Sequence, residues 1–198
     1  MVNIAVLVLA GGQSSRMKSP KQLVKIGNNF LLETVLNKAK TINKNHVYCV
    51  LGANASLIRR EISSANVNFI YNKNYKNGLS SSIASGVTFI KSKNENYSSV
   101  LVLLADQPAI SKDYLFNLIA LHTKNNSKIV ASKYPNKKGV PAIFPKTYFH
   151  KLSMLKDDFG AKEIIKNNPE VISPLSTTNF MDIDTPKDLA KFKNSILN

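Results

Sequence analysis

The chain has 198 residues, 43% of them hydrophobic, which is enough for one sizeable core, and we expect a single domain over residues 1–198. Its longest apolar run is well short of the roughly 20 residues that cross a membrane, so we expect no membrane contact, no signal peptide and a cytoplasmic location. The net charge is +15, but the basic residues are scattered among asparagines, which favours a solvated surface over nucleic-acid binding.

The clearest pattern is the apolar run IAVLVLA at residues 4–10, followed by two glycines and several polar residues. The run predicts a strand that is buried on both faces of a sheet. Gly11 and Gly12 allow the backbone to bend and to bring N–H groups toward an anion. The spelling is neither GxxxxGK[ST] nor GxGxxG, so two common phosphate loops are excluded. The loop predicts a triphosphate site because three basic residues surround it: Arg16, Lys18 and Lys21.

Helices and strands alternate after this loop. We expect a helix over residues 30–40, a strand over 46–52, a helix over 55–63 that is capped near Asn54, and a strand over 67–72. This order predicts right-handed crossovers and a mostly parallel sheet. The lone cysteine, Cys49, lies in the second strand and is expected to be a core residue.

The segment after the third strand changes from a polar loop to a helix at about Gly78. Asn72, Gly78 and the serines from Ser80 to Ser82 lie where this strand meets the helix. Helix capping and ligand contact explain these residues equally well from their chemistry alone. Their position favours a ligand, because this loop leaves the same edge of the sheet as the glycine loop.

A second doubly buried strand is expected over VLVLLA, residues 100–105, and Asp106 follows directly. Ligands of open α/β sheets bind beyond the carboxyl ends of the strands, where Asp106 and the glycine loop are both expected. A carboxylate beside a triphosphate is suited to bind Mg²⁺. The alternative role, capping of the next helix over residues 111–124, is one that Ser111 can serve unaided.

The rest of the chain supplies a second apolar segment and a second pair of acids. Pro141 in GVPAIF predicts an edge strand with antiparallel pairing, and the loop before it is expected to wall an acceptor pocket. Asp158 is expected to cap the helix GAKEIIK, and Thr185 the last helix, with Pro186 at its first position. Two acids precede this last helix on one face of a predicted short strand, and either is a candidate second metal ligand: Asp184, or less favourably Asp182.

Five blocks of the sequence resemble, in order, the MobA-like NTP transferases that include the molybdenum cofactor guanylyl- and cytidylyltransferases. The blocks are LAGGQSSRM with Lys21, YNKNYKNGLSSSI, LLADQP, GVPAIF with DDFGAK, and DIDTPKDL. The resemblance implies a three-layer, Rossmann-like α/β fold with a mostly parallel sheet and helices on both faces, of the nucleotide-diphospho-sugar transferase type.

Carried over by position, the resemblance assigns ten residues to nucleotide binding: Leu9, Ala10, Gly11, Gly12, Ser14, Arg16, Lys21, Asn72, Gly78 and Ser80. It implies that Arg16, Lys21 and Asp106 are catalytic, and that Asp106 binds Mg²⁺ with Asp184 or Asp182. The implied partners are a nucleoside triphosphate, a molybdopterin-type acceptor, and a molybdoenzyme or its chaperone in transient contact.

The resemblance implies that a nucleotidyl group is transferred to the acceptor phosphate and that diphosphate is released. CTP is favoured over GTP by LADQP, GVPAIF and DDFGAK, although Gly11 resembles the guanylyl branch, and Lys18 and Val140 depart from the family pattern. Two alternatives stay open. One keeps the reaction but uses GTP or another small acceptor, such as a sugar or polyol phosphate. The other is a basic, non-catalytic protein that binds nucleic acid or a cofactor.

Overall fold

The computed structural model describes residues 3–17, 19–62, 64–93, 95–156, 159–174 and 180–195. Lys18 and Asp158, which the sequence assigned to the glycine loop and to a helix cap, lie outside these ranges. The strands are β1 (Ile4–Ala10), β2 (Lys25–Ile26), β3 (Asn29–Phe30), β4 (Val47–Leu51), β5 (Val67–Tyr71), β6 (Ser99–Leu104), β7 (Val130–Tyr134) and β8 (Lys137–Pro145). The helices are α1 (Leu31–Ile42), α2 (Ala55–Glu61), α3 (Gly78–Lys91), α4 (Lys112–Lys124), α5 (Phe149–Ser153), α6 (Lys162–Lys166) and α7 (Pro186–Ser195).

Six of the strands form one sheet in the order β5-β4-β1-β6-β8-β7. The strands β5, β4, β1 and β6 are parallel, while β8 runs antiparallel to both of its neighbours. The remaining pair, β2 and β3, forms a small antiparallel hairpin before α1. The sheet is therefore mostly parallel, as predicted from the alternation of strands and helices.

Alternate residues of β1 serve two hydrophobic cores, one on each face of the sheet. Val6 and Val8 pack with the apolar faces of α1 and α4, whereas Leu7 and Leu9 pack with α3, α5 and α6. Gly86 of α3 lets that helix approach closely, since a Cβ there would lie 2.5 Å from Leu7 Cδ1. This three-layer arrangement explains why β1 is apolar throughout.

Several local predictions are confirmed by their hydrogen bonds and burial. The Ser111 Oγ accepts a hydrogen bond from the Tyr114 N–H at the start of α4. Thr185 and Asp188 form reciprocal capping bonds at the start of α7. Cys49 is fully buried in the core, which raises its pKa and leaves the thiol uncharged.

Three local predictions are wrong. Strand β8 lies inside the sheet rather than at its edge. It tolerates Pro141, which has no N–H, because the pairing with β7 is irregular beside Ala131 and because β6 pairs only with residues 142–145. Asn54 does occupy the N-cap position of α2, but its side chain makes no capping hydrogen bond and its backbone is left-handed, with φ of 56°. Asp182 and Asp184 lie in no strand, since α7 is the only regular element within residues 180–195.

Within the described ranges, no helix has both the length and the apolar character needed to cross a membrane.

Candidate functional site

Strands β1 and β6 end side by side, and the segments that follow them bound a cavity of about 300 Å³. The segment after β1 contributes its two glycines, and the segment after β6 contributes Ala105 and Asp106. The start of α3 forms another wall. The cavity is lined by Leu9, Ala10, Gly11, Gly12, Lys21, Gln22, Leu31, Tyr75, Gly78, Leu79, Ser82, Leu104, Ala105 and Asp106.

The side chain of Gln22 holds the loop after β1 in place through hydrogen bonds to its backbone. Its side chain is buried, and its amide nitrogen donates to the carbonyl oxygens of Ala10 at 2.8 Å and Gly12 at 3.2 Å. Ser14 completes the arrangement, since its hydroxyl donates to the Gln22 carbonyl oxygen and accepts from the Lys21 backbone N–H. These bonds fix the left-handed conformation of Ser14, whose φ is 57°, and direct Lys21 toward the cavity.

Lys21 lies between two carboxylates that come from distant parts of the chain. Its Nζ donates to Asp106 Oδ2 at 2.6 Å and to Asp184 Oδ1 at 2.8 Å, and its side chain is 13% exposed. Arg16 extends the network, since its Nη2 lies 2.8 Å from Asp184 Oδ2. A backbone bond from the Ile183 N–H to the Asp106 carbonyl oxygen, at 2.8 Å, holds the C-terminal segment against the end of β6.

The charges of this network shift the pKa values of its members. Burial by itself would lower the pKa of Lys21, but the charges and hydrogen bonds of Asp106 and Asp184 outweigh it and raise the pKa above the ordinary value. The hydrogen bond from Lys21, together with the charge of Arg16, lowers the pKa of Asp184. Lys21 and Asp184 therefore remain charged near neutral pH.

A second cavity, of about 190 Å³, adjoins the first across Leu79 and Leu104. Its far wall is the end of β7 and the first residues of β8 together with the start of α6, and it contains three lysines: Lys137, Lys138 and Lys162. Gln107 and Asp182 also line it, and the Gln107 amide nitrogen donates to Asp182 Oδ1 at 2.7 Å. The segment before GVPAIF, which the sequence assigned to an acceptor pocket, thus borders a cavity beside the glycine loop.

The structure brings together most of the residues that the sequence selected. Seven of them line the first cavity: Leu9, Ala10, Gly11, Gly12, Lys21, Gly78 and Asp106. Arg16 and Asp184 join through the ion pairs, whereas Asp182 lies at the second cavity.

Three selected residues direct their side chains to protein partners instead. Asn72 is buried and donates to the hydroxyls of Ser81 and Ser82, Ser80 is fully buried and accepts from the Gly160 N–H, and Ser14 bonds within its own loop. The side chains of Asn72 and Ser80 therefore bond within the protein and do not line the first cavity.

Sequence reasoning did not select six residues that line the first cavity: Gln22, Leu31, Tyr75, Leu79, Leu104 and Ala105. Of the serines from Ser80 to Ser82, all placed at the candidate ligand site, the resemblance assigned Ser80 to nucleotide binding, whereas Ser82 lines the cavity. The two serines are two positions apart on a helix and so point in different directions. Gln22 carries no sequence signal beyond its place after Lys21, because a buried glutamine cannot be told from an exposed one by spacing.

The sheet order, the two packed faces and the loops beyond the strand ends define a Rossmann-like α/β protein. The chain belongs to the MobA-like NTP transferase domain family, whose sequence profile it matches over residues 6–171. Both the predicted family and the predicted fold are therefore confirmed.

Solved structures and curated proteins support this assignment. The chain is similar to a homologue of Rv0371c from Mycobacterium sp. strain JC1, at 25% identity and a TM-score of 0.85 over 98% of this chain and 96% of that one. It shares its fold with Rv0371c from Mycobacterium tuberculosis H37Rv, solved in complex with manganese, at 22% identity and a TM-score of 0.80 over 98% and 100% of the two chains.

Among curated proteins, the bifunctional protein GlmU of Coxiella burnetii (strain CbuK_Q154) is 27% identical over 184 residues. The match covers 92% of this chain and 39% of GlmU. The chain thus spans about two fifths of the length of this curated relative.

Proposed function

We propose that the protein is a nucleotidyltransferase that transfers a nucleotidyl group from a nucleoside triphosphate to a phosphorylated acceptor. The observation that carries this proposal is the position of Lys21. This lysine reaches from the glycine loop into the first cavity and contacts Asp106 and Asp184. A glycine loop, a lysine and two carboxylates beside one cavity are the groups that triphosphate chemistry requires.

The triphosphate is proposed to lie along Gly11 and Gly12. A Cβ on Gly12 would meet nothing within 4 Å, so the space beside this backbone is open. Lys21 and the exposed Arg16 offer positive charge to the phosphates. We assign Arg16, Lys21 and Asp106 as the catalytic residues on these contacts.

The residues present also fit a magnesium ion. Asp106 Oδ1 is buried without a hydrogen-bond partner among the described residues, and Asp184 presents a second carboxylate across Lys21. Within those residues no group of three or more His, Cys, Asp or Glu side chains is positioned to hold a metal. Two carboxylates suffice, because Mg²⁺ usually takes its other ligands from phosphates and water. Held by Asp106 and Asp184, the ion would neutralise charge on the phosphate oxygens.

The second cavity is proposed to hold the acceptor. Its lysines suit an acceptor that carries a phosphate, and Leu79 and Leu104 separate it from the nucleotide cavity by a thin wall. An oxygen of the acceptor phosphate attacks the α-phosphorus, a new P–O bond forms, and the bond to the β-phosphate breaks as diphosphate leaves with the electron pair. A phosphate is already ionised near pH 7, so the step needs no general base. Lys21 and Arg16 stabilise the charge that develops on the oxygens.

CTP is the proposed nucleotide, and a molybdopterin-type phosphate is the proposed acceptor. Both proposals are based on the sequence blocks that resemble the cytidylyl branch. The whole chain is proposed to act as one domain, since Asp184 of the C-terminal segment joins the network built on the loop after β1. A molybdoenzyme or its chaperone is the proposed recipient of the product.

The volume of the second cavity favours a second candidate acceptor. At about 190 Å³, it is smaller than the roughly 300–1,000 Å³ that is typical of pockets for larger ligands. A compact phosphorylated acceptor, such as a sugar or polyol phosphate, would fit this space with less rearrangement than a pterin.

Thermal unfolding tests nucleotide binding and base preference together. With Mg²⁺ present, CTP at 100 times its dissociation constant stabilises the folded protein by about 2.7 kcal/mol and raises the melting temperature by a few degrees. GTP, ATP and UTP are expected to give smaller shifts. A larger shift with GTP would assign the protein to the guanylyl branch, and no shift with any nucleotide would contradict the proposal.

Release of diphosphate tests the reaction. Asp106→Asn keeps the shape of the side chain but removes its charge. With the phosphorylated acceptor that the unaltered protein uses, we expect turnover to fall by a factor of about 10²–10³. The matched control is Asp113→Asn, an exposed acid in the first turn of α4, which is expected to keep normal turnover. Near-normal turnover by Asp106→Asn would remove this residue from the catalytic group.

A further inference from the structure

Lys21 occupies the position between the two carboxylates that a divalent cation would need. Its Nζ contacts one oxygen of each acid, at 2.6 Å for Asp106 and 2.8 Å for Asp184. Magnesium binds carboxylate oxygens at about 2.0–2.1 Å. An ammonium group and a divalent cation held against the same oxygens would lie close together, and their positive charges would repel each other. Lys21 and the cation therefore compete for one place.

We propose that Lys21 exchanges partners when the triphosphate binds, from the two carboxylates to the phosphates. This inference rests on the proposed function. The exchange needs only a side-chain movement, because Lys21 lines the same cavity as Gly11 and Gly12. In the free protein the lysine neutralises Asp106 and Asp184, and in the complex the cation takes over that task.

The state of Asp106 supports the exchange. One of its oxygens bonds to Lys21, while the other, Oδ1, is buried and has no hydrogen-bond partner among the described residues. A buried carboxylate oxygen without a partner is costly, and departure of Lys21 opens this carboxylate to a cation. The Ile183 bond to the Asp106 backbone does not involve Lys21, so the two segments that carry the acids stay joined when the lysine moves.

The consequence is a positive coupling between nucleotide and metal. A triphosphate attracts Lys21 away and frees the carboxylates, so it increases the affinity for the cation. By thermodynamic reciprocity, the cation increases the affinity for the triphosphate to the same extent. In the absence of nucleotide, the lysine keeps the affinity for a divalent cation low.

The test measures binding of Mn²⁺ alone, followed by the electron paramagnetic resonance signal of the free ion. Lys21→Gln removes the competing charge, so we expect this variant to bind Mn²⁺ at least about tenfold more tightly than the unaltered protein. Lys21→Met repeats the test with an apolar chain of similar length, in case the glutamine variant folds poorly.

Two matched variants separate competition from a general effect of charge. Lys124→Gln loses the same charge at the exposed end of α4 and is expected to bind Mn²⁺ like the unaltered protein. Arg16→Gln removes a cation whose one ion pair among the described residues is with Asp184, so the affinity of this variant is expected to rise less than that of Lys21→Gln.

If neither Lys21 variant binds Mn²⁺ more tightly than Lys124→Gln, the exchange is wrong. This failure is distinct from failure of the proposed function, because stabilisation of the unaltered protein by nucleotide with Mg²⁺ is measured separately. Equal gains for Arg16→Gln and Lys21→Gln would also overturn the exchange, since they would indicate only a change in local charge.

Discussion

Gln22 shows how one buried polar side chain can set the shape of a binding loop. Its amide nitrogen reaches carbonyl oxygens on both sides of Gly11, and its own oxygen accepts from Ser14. A glutamine suits this position because it can donate twice and accept at the same time. Gln22 thus holds the backbone of the glycine loop through the carbonyl oxygens of Ala10 and Gly12.

We predict that Gln22→Leu destabilises the protein by about 1–3 kcal/mol, because the Ala10 carbonyl oxygen then loses its partner in a buried place. The free energy of unfolding, measured in urea, checks this value. Gln13→Leu is the matched control: Gln13 is exposed in the same loop, and its replacement is expected to change stability by less than about 0.5 kcal/mol. Equal effects of the two substitutions would show that Gln22 does not support the loop.

For single residues, the sequence predicted which residue types form the site better than it predicted where their side chains point. Gly11, Gly12, Lys21 and Asp106 were found because glycine, charge and strand ends carry a signal that spacing reveals. The direction of a serine or an asparagine side chain depends on partners that are distant in sequence. Ser80, for example, bonds to the backbone of Gly160, which lies 80 residues away.

Helix α4 carries a buried histidine that the proposed chemistry does not use. His122 is fully buried between the helix and the sheet. Burial lowers its pKa below the ordinary value of 6.5, although a backbone contact with Lys128 opposes the shift. The folded protein therefore holds a neutral imidazole where the unfolded chain would take up a proton.

This difference predicts a loss of stability in mild acid. Because the folded-state pKa is lowered, the stabilisation is complete above the ordinary pKa of 6.5 and decreases as the pH falls below it. The free energy of unfolding, measured between about pH 8 and pH 5, is expected to fall less for His122→Gln than for the unaltered protein. His150→Gln, at an exposed position of α5, is the control and should follow the unaltered protein. An unchanged slope for His122→Gln would contradict the prediction.

At the scale of elements, apolar periodicity was sufficient for β1, β4, β5, β6 and the helices α1, α3 and α4. It failed where tertiary pairing decides the outcome. Pro141 suggested an edge strand, yet β8 lies between β6 and β7 because an irregular register removes the need for an N–H at that position. The hairpin of β2 and β3 has only two residues in each strand, too few to show alternation.

The whole molecule carries a net charge of +15, and most of its basic residues lie outside the ion pairs of the site. The basic residues are spread over the sequence, and together they make the potential around the molecule positive. Such a field attracts anions from a distance and is screened by salt.

We predict that binding of a nucleoside triphosphate weakens as the salt concentration rises from about 0.05 M to about 0.5 M, since the Debye length shortens across this range. Titration calorimetry with CTP, repeated at several concentrations of KCl, measures the effect. Cytidine is the matched ligand without phosphates, and its binding is expected to respond little to salt. A salt-independent affinity for CTP would indicate that contacts inside the cavity act alone.

The bond from Ile183 to Asp106 has a consequence for the order in which the molecule is made. The ribosome completes all six strands of the sheet before it adds Ile183 and Asp184. A nascent chain that ends before residue 180 holds the glycine loop and Asp106, yet Lys21 lacks its second carboxylate and Arg16 its ion-pair partner. The candidate site is therefore complete only once the segment that carries Asp184 has been synthesised, which is later than all six strands of the sheet.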